Sequence, residues 1–80
     1  MTAKEAVAAR ILQLCSDHAI AVNALANLAG VSPSTVYSML DPRRRQVSVT
    51  LVKKLCDGLE ITLGEFFSAT IFDELEQEIF

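Results

Sequence analysis

Between residues 30 and 33 the sequence carries a helix stop and, directly behind it, a helix start. Gly30 can take the left-handed conformation that closes a helix, because it has no Cβ to clash. Ser32 then offers a capping hydroxyl, and Pro33 loses nothing at a first helical position whose N–H goes unused. A junction this tight predicts two short helices crossing at a steep angle, the first over about Val22 to Ala29 and the second over about Pro33 to Leu40. The second helix ends there because Pro42 biases Asp41 away from helical geometry and would clash with the carbonyl four residues back. Arg43 to Val47 is therefore read as a loop.

The remaining segments read as helices by the same local chemistry. Thr2 and Glu5 have capping-box spacing, and Val7, Ile11 and Leu14 recur at steps of four and three, which predicts a first helix from Ala3 to Asp17. Ser48 caps a fourth helix ending near Leu59, with Val49, Val52, Leu55, Cys56 and Leu59 on its apolar face and Lys53 and Lys54 turned outward. Thr62-Leu63-Gly64-Glu65 is a second capping box, flanked by Ile61 and Phe66 as a hydrophobic staple, and starts a fifth helix. From Ser68 to Phe80, Phe72, Leu75 and Ile79 alternate with Asp73, Glu74, Glu76 and Glu78, which predicts a short acidic amphipathic helix. With 80 residues, 51% of them apolar, one all-α domain is expected over 1–80, its core at 3–69 and an acidic extension at 70–80.

Net charge is −3, which alone argues against binding phosphate. Its distribution argues the other way. All seven basic residues fall in 1–54 against Glu5, Asp17 and Asp41, whereas residues 55–80 hold seven acids and no base. Such a division lets one face turn positive toward nucleic acid while the acidic end points elsewhere. Arg43, Arg44 and Arg45 are the densest positive run, placed just after the second helix of the tight pair. No apolar run approaches the roughly 20 residues of a bilayer span, and no secretory segment follows Met1, so a cytoplasmic protein without a membrane partner is expected. Cys15 and Cys56 sit among apolar neighbours and read as buried small hydrophobes in a reducing compartment. Cys15-x-x-His18 has half of a metal-site spacing but no evident fourth ligand, and His18 suits a helix C-terminus. No cofactor, metal, small-molecule substrate or catalytic set is expected: the chain has one His and no glycine-rich phosphate loop.

The run Ala21-Val22-Asn23-Ala24-Leu25-Ala26-Asn27-Leu28-Ala29-Gly30-Val31-Ser32-Pro33-Ser34-Thr35-Val36-Tyr37-Ser38-Met39 resembles the helix-turn-helix of the Cro and lambda-repressor type, also called the Xre family. Leu25 and Ala26 match the apolar centre of its bracing helix, Gly30-Val31-Ser32 its turn, and Val36 and Met39 the buried face of its reading helix. Ser48 to Phe67 is similar to the fourth and fifth helices of that family, so the resemblance covers residues 7 to 67. It implies a five-helix lambda-repressor-like fold with a short additional C-terminal helical segment. It also implies a transcriptional regulator, a repressor in the first instance, that binds double-stranded DNA at a pseudo-palindrome as a homodimer. On this reading Pro33, Ser34, Thr35, Tyr37 and Ser38 face DNA, with Ser34 and Ser38 at base edges. Ser32, Thr35, Arg43, Arg44 and Arg45 touch phosphates or the adjoining minor groove.

Several positions depart from the family pattern. Ala21 and Val22 stand where a capping hydroxyl and a Gln are usual, and Pro42 and Val47 replace the more usual loop residues. The reading helix has no Arg, Gln, Asn or Lys, the side chains that make bidentate base contacts worth about 1–3 kcal/mol each, so direct readout should be weak and DNA shape should matter more. Tyr37 is open to two readings, a DNA contact or a partly buried aromatic with a wet hydroxyl. Phe72, Leu75, Ile79 and Phe80 are equally open: they fold back on the domain or pair two chains. An alternative function is a helix-turn-helix fold used as a protein-interaction module, of antitoxin or antirepressor kind, whose acidic tail docks on a basic protein.

Overall fold

The computed structural model describes residues 1–79; Phe80, grouped above with the apolar stripe of the tail, lies outside the described residues. Five α-helices follow in order, α1 (Ala3–Asp17), α2 (Val22–Ala29), α3 (Pro33–Leu40), α4 (Val49–Leu59) and α5 (Leu63–Phe66), then a 3-10 turn at Thr70–Phe72. Four of the five helix starts are set by a hydroxyl. Thr2 and Thr62 form reciprocal capping boxes with Glu5 and Glu65, while Ser32 and Ser48 accept from the N–H groups of Thr35 and Leu51. Only α2 begins without a side-chain cap, at Ala21.

Three helices stop in the same way. Ala19, Gly30 and Glu60 have φ of 53°, 72° and 58°, and in each case the next N–H bonds back into the preceding turn: Ile20 to Cys15 O, Val31 to Ala26 O, Ile61 to Cys56 O. Ile20, Val31 and Ile61 each pack on the core, and this apolar anchor holds Ala19 and Glu60 in a conformation that costs a non-glycine residue roughly 1 kcal/mol. Gly30 alone announces its stop by residue type.

The core joins Val7, Ile11 and Leu14 of α1, Leu25 and Ala26 of α2, Val36 and Met39 of α3, Val52, Leu55, Cys56 and Leu59 of α4, and Phe66 of α5. Cys15 and Cys56 are both buried in it, and burial raises both thiol pKa values. Helix α2 packs most extensively on α4, where Gly58 permits the approach: a Cβ there would lie 3.0 Å from Ala29 N and 3.2 Å from Leu28 C. Val49, expected on the apolar face of α4, is instead 72% exposed. It occupies the first turn, which projects past the core.

Two basic side chains work inside the fold. Lys4 is buried and its ammonium donates to Asp41 O at 2.6 Å, satisfying the end of α3. Arg10 donates to Phe66 O (2.8 Å) and Glu65 O (2.9 Å), closing the end of α5.

The acidic helix expected over Ser68 to Phe80 does not form. The helical part of the extension is confined to Thr70–Phe72, and residues 75–79 have no regular structure. Helix formation there would place Glu74 beside Glu78 and Asp73 beside Glu76, like charges at helical neighbour spacing. It would also set acids at the negative end of the dipole with no base to offset them. Ala69 supplies no side-chain cap. Instead Phe72 joins Phe66 and Phe67 in an aromatic cluster with centroids 6.0 and 4.9 Å away, which fastens the extension to the domain.

Candidate nucleic-acid interface

Helix α3 buries Val36 and Met39 and turns Ser34, Thr35, Tyr37 and Ser38 outward, so its solvent face consists of small hydroxyl residues and one aromatic. Pro33 is half-buried and Tyr37 is 52% exposed. At the leading end, Ser32 Oγ lies 2.8 Å from Thr35 Oγ1 and 3.1 Å from Ser34 Oγ, and it also accepts from Thr35 N–H. The hydroxyls thus hold one another in place at the tip. Pro33 has no N–H and the Thr35 N–H is engaged by Ser32, so this helix end attracts an anion with little of its backbone. Positive charge must come from the neighbouring loop.

The loop supplies it unevenly. Asp41 and Arg43 form a closed clasp: Asp41 Oδ1 accepts from the Arg43 N–H at 2.9 Å, and both carboxylate oxygens accept from the guanidinium at 2.9–3.2 Å. The Arg43 hydrogen bonds, first from its side chain and then from its backbone, hold the Asp41 carboxyl down to a pKa of about 2. Arg43 therefore stiffens the turn after α3 and has part of its charge offset. Arg44 lines a hollow of about 170 Å³ together with Thr35, Ser38, Gln46 and Ser48, which sets it against the exposed flank of α3. Arg44 and Arg45 both line a hollow at the start of α1 with Thr2, Lys4 and Glu5, and Arg45, unlike Arg44, does not border the hollow beside α3.

Lys53 pairs with Asp57 one turn along α4. With Lys4 and Arg10 bonded internally and Arg43 clasped, the basic groups without an acidic or backbone partner among the described residues are Arg44, Arg45 and Lys54. Sequence reasoning gave the three loop arginines one role, whereas the fold divides them. The dividing signal was present: Asp-Pro-Arg is an Asx-turn pattern, in which the carboxylate bonds the backbone two residues on. Gln46 and Ser48, the latter expected only as a helix cap, border the same hollow as Thr35 and Ser38, and nothing in their local sequence marks them as neighbours of α3.

Two short helices, a glycine-stopped turn and an exposed second helix flanked by a free arginine make up this face. A family model for the Cro/C1-type HTH DNA-binding domain matches residues 10–70, more than half of the chain. The chain belongs to that family. Searches of curated proteins and of solved structures found no match. In a Cro/C1-type domain α2 and α3 form the helix-turn-helix, α2 being the brace, and the resemblance noted from residues 7 to 67 overlaps the matched span over 10–67. Its all-helical fold and DNA-binding character are those of the family. Among the described residues no helix is long and apolar enough to cross a membrane.

Proposed function

We propose that this Cro/C1-type domain is a cytoplasmic transcriptional repressor that binds a pseudo-palindromic site as a homodimer, with α3 of each copy in a major groove. The observation that carries the reading is the placement of Arg44 beside Thr35 and Ser38, on the exposed flank of a helix that has no charge of its own. In this arrangement Ser34 and Ser38 meet base edges through their hydroxyls, while Pro33 and Tyr37 offer apolar surface to thymine methyls. Ser32 and Thr35 donate to phosphate, and Arg44 and Arg45 supply most of the charge that releases counterions. Arg43, held by Asp41, positions the loop and makes the weakest contribution of the three.

With so few base-reading groups, selectivity rests largely on sequence-dependent DNA shape and on water-mediated contacts. Selection of bound duplexes from a random pool tests the proposal. The expected result is an enriched two-fold site with half-site centres about 34 Å, or roughly 10 base pairs, apart. Recovery of no duplex above background would refute DNA recognition, and enrichment of a single half-site would refute the dimer. Replacing Arg44 and Arg45 together by Ala should lower the slope of log K against log salt by roughly two, one for each phosphate no longer neutralised.

A further inference from the structure

The acidic tail returns to the edge of the face just described. Anchored by Phe72 in the aromatic cluster, residues 75–79 run to the N-terminus of α1, where a Glu78 carboxylate oxygen accepts from the Ala3 N–H at 2.9 Å. An anion is favoured there by the unsatisfied amides and the positive end of the helix dipole. From that seat Glu78 lines the 270 Å³ hollow that also contains Arg44 and Arg45, and Glu76 and Glu78 line a second, of about 330 Å³, with Arg45. Among the described residues neither Arg44 nor Arg45 is ion-paired with Glu76 or Glu78; in the second hollow Glu76 lies 3.7 Å from the Met1 amine instead.

We propose that the tail is an autoinhibitory mask: seated on α1, Glu78 competes with phosphate for Arg44 and Arg45, and a polyanion must displace it to engage them fully. The identity of that polyanion as duplex DNA rests on the function proposed above. Glu78 is exposed and held by one backbone hydrogen bond, so the mask is weak and easily released. Charges across an open, hydrated gap of this size interact within the screening distance of roughly 8–10 Å at ordinary salt, and strengthen as salt is lowered. The mask thus lowers affinity most where non-specific binding would be strongest.

Glu78→Gln is the informative variant, because a glutamine oxygen can still accept from the Ala3 N–H while the charge is gone. Glu74→Gln is its control, since Glu74 is exposed, removes the same charge and lines neither hollow. Both full-length variants and the parent chain, checked for equal helical circular dichroism, are titrated at low salt with a random-sequence duplex and, separately, with short-chain polyphosphate. The expected result is that Glu78→Gln tightens binding of both probes by about two- to fivefold, the range of an exposed charge pair, while Glu74→Gln leaves binding nearly unchanged. Equal tightening by the two variants would overturn the mask in favour of net charge alone, and no tightening by Glu78→Gln would overturn it outright. If no form of the chain binds duplex but Glu78→Gln still favours polyphosphate, the DNA reading fails and the mask stands.

Discussion

Helix α3 and the acidic tail both face solvent, yet they are held in opposite ways. Helix α3 starts at the Ser32 hydroxyl cap ahead of Pro33, buries Val36 and Met39, ends under the Lys4 ammonium and is braced by α2, which Gly58 lets sit close on α4. The tail has one aromatic anchor, one hydrogen bond to Ala3, an exposed ion pair from Glu76 to the Met1 amine and no regular structure after its 3-10 turn. Rigidity lies where side chains must be presented in fixed register. The tail, which the proposed mask requires to give way, is held by fewer contacts.

The sharpest contrast is in stability. Leu25→Ala, at a fully buried position of the brace, should cost about 2–5 kcal/mol by denaturant unfolding, whereas Ile79→Ala, on a side chain that is 77% exposed, should stay within about 0.5 kcal/mol. A tail substitution as costly as the core one would mean that the tail is part of the rigid unit.

A smaller effect belongs to the close approach of α2 and α4. Gly58→Ala improves helix propensity by about 1 kcal/mol, but its methyl meets the Leu28 and Ala29 backbone, which has no rotamer to yield and sets an opposing cost of about 1–3 kcal/mol, so a net loss of up to about 2 kcal/mol is expected. A stabilised Gly58→Ala protein would show that α2 can shift away and that α3 is not firmly braced.

The smallest effect is on the clasp after α3. The Asp41 carboxyl titrates at about 2 in the folded chain against an ordinary 3.8, a depressed value. Whatever stability it gives is complete above 3.8 and disappears as pH falls toward 2. The difference in melting temperature between the parent and Asp41→Asn should therefore be small at neutral pH and vanish by about pH 2; a difference that grows on acidification would contradict the clasp.

How much of this was legible in the sequence follows from where each signal resides. Four of the five helices could be read from local starts, for Thr2, Ser32, Ser48 and Thr62 each lie a few residues from the amide they cap, and α2 could be read from its stop at Gly30. The helix ends at Asp17 and Leu59 were placed correctly, but the left-handed conformations at Ala19 and Glu60 were not marked by residue type, since they go with the packing of Ile20 and Ile61 on the core. Apolar spacing over Phe72, Leu75 and Ile79 suggested a helix that charge repulsion and a missing cap do not allow. At the interface, the outward face of α3 followed from its period and the clasp of Arg43 was marked by Asp-Pro-Arg, but the different surroundings of Arg44 and Arg45 depend on how the loop wraps between α3 and α1. The internal use of Lys4 and Arg10 has the same origin, for their acceptors lie 37 and 55–56 residues away.

The account turns on the exposed face of α3 being the surface that meets DNA. Amide chemical-shift mapping of the full chain with a duplex at low salt addresses this directly. The predicted result is that the largest shifts cluster at residues 32–38 and 44–46, with smaller changes near Ala3 and Glu78 as the tail is displaced. Shifts concentrated on the outer surface of α1 or around α5, with residues 32–38 unmoved, would contradict it.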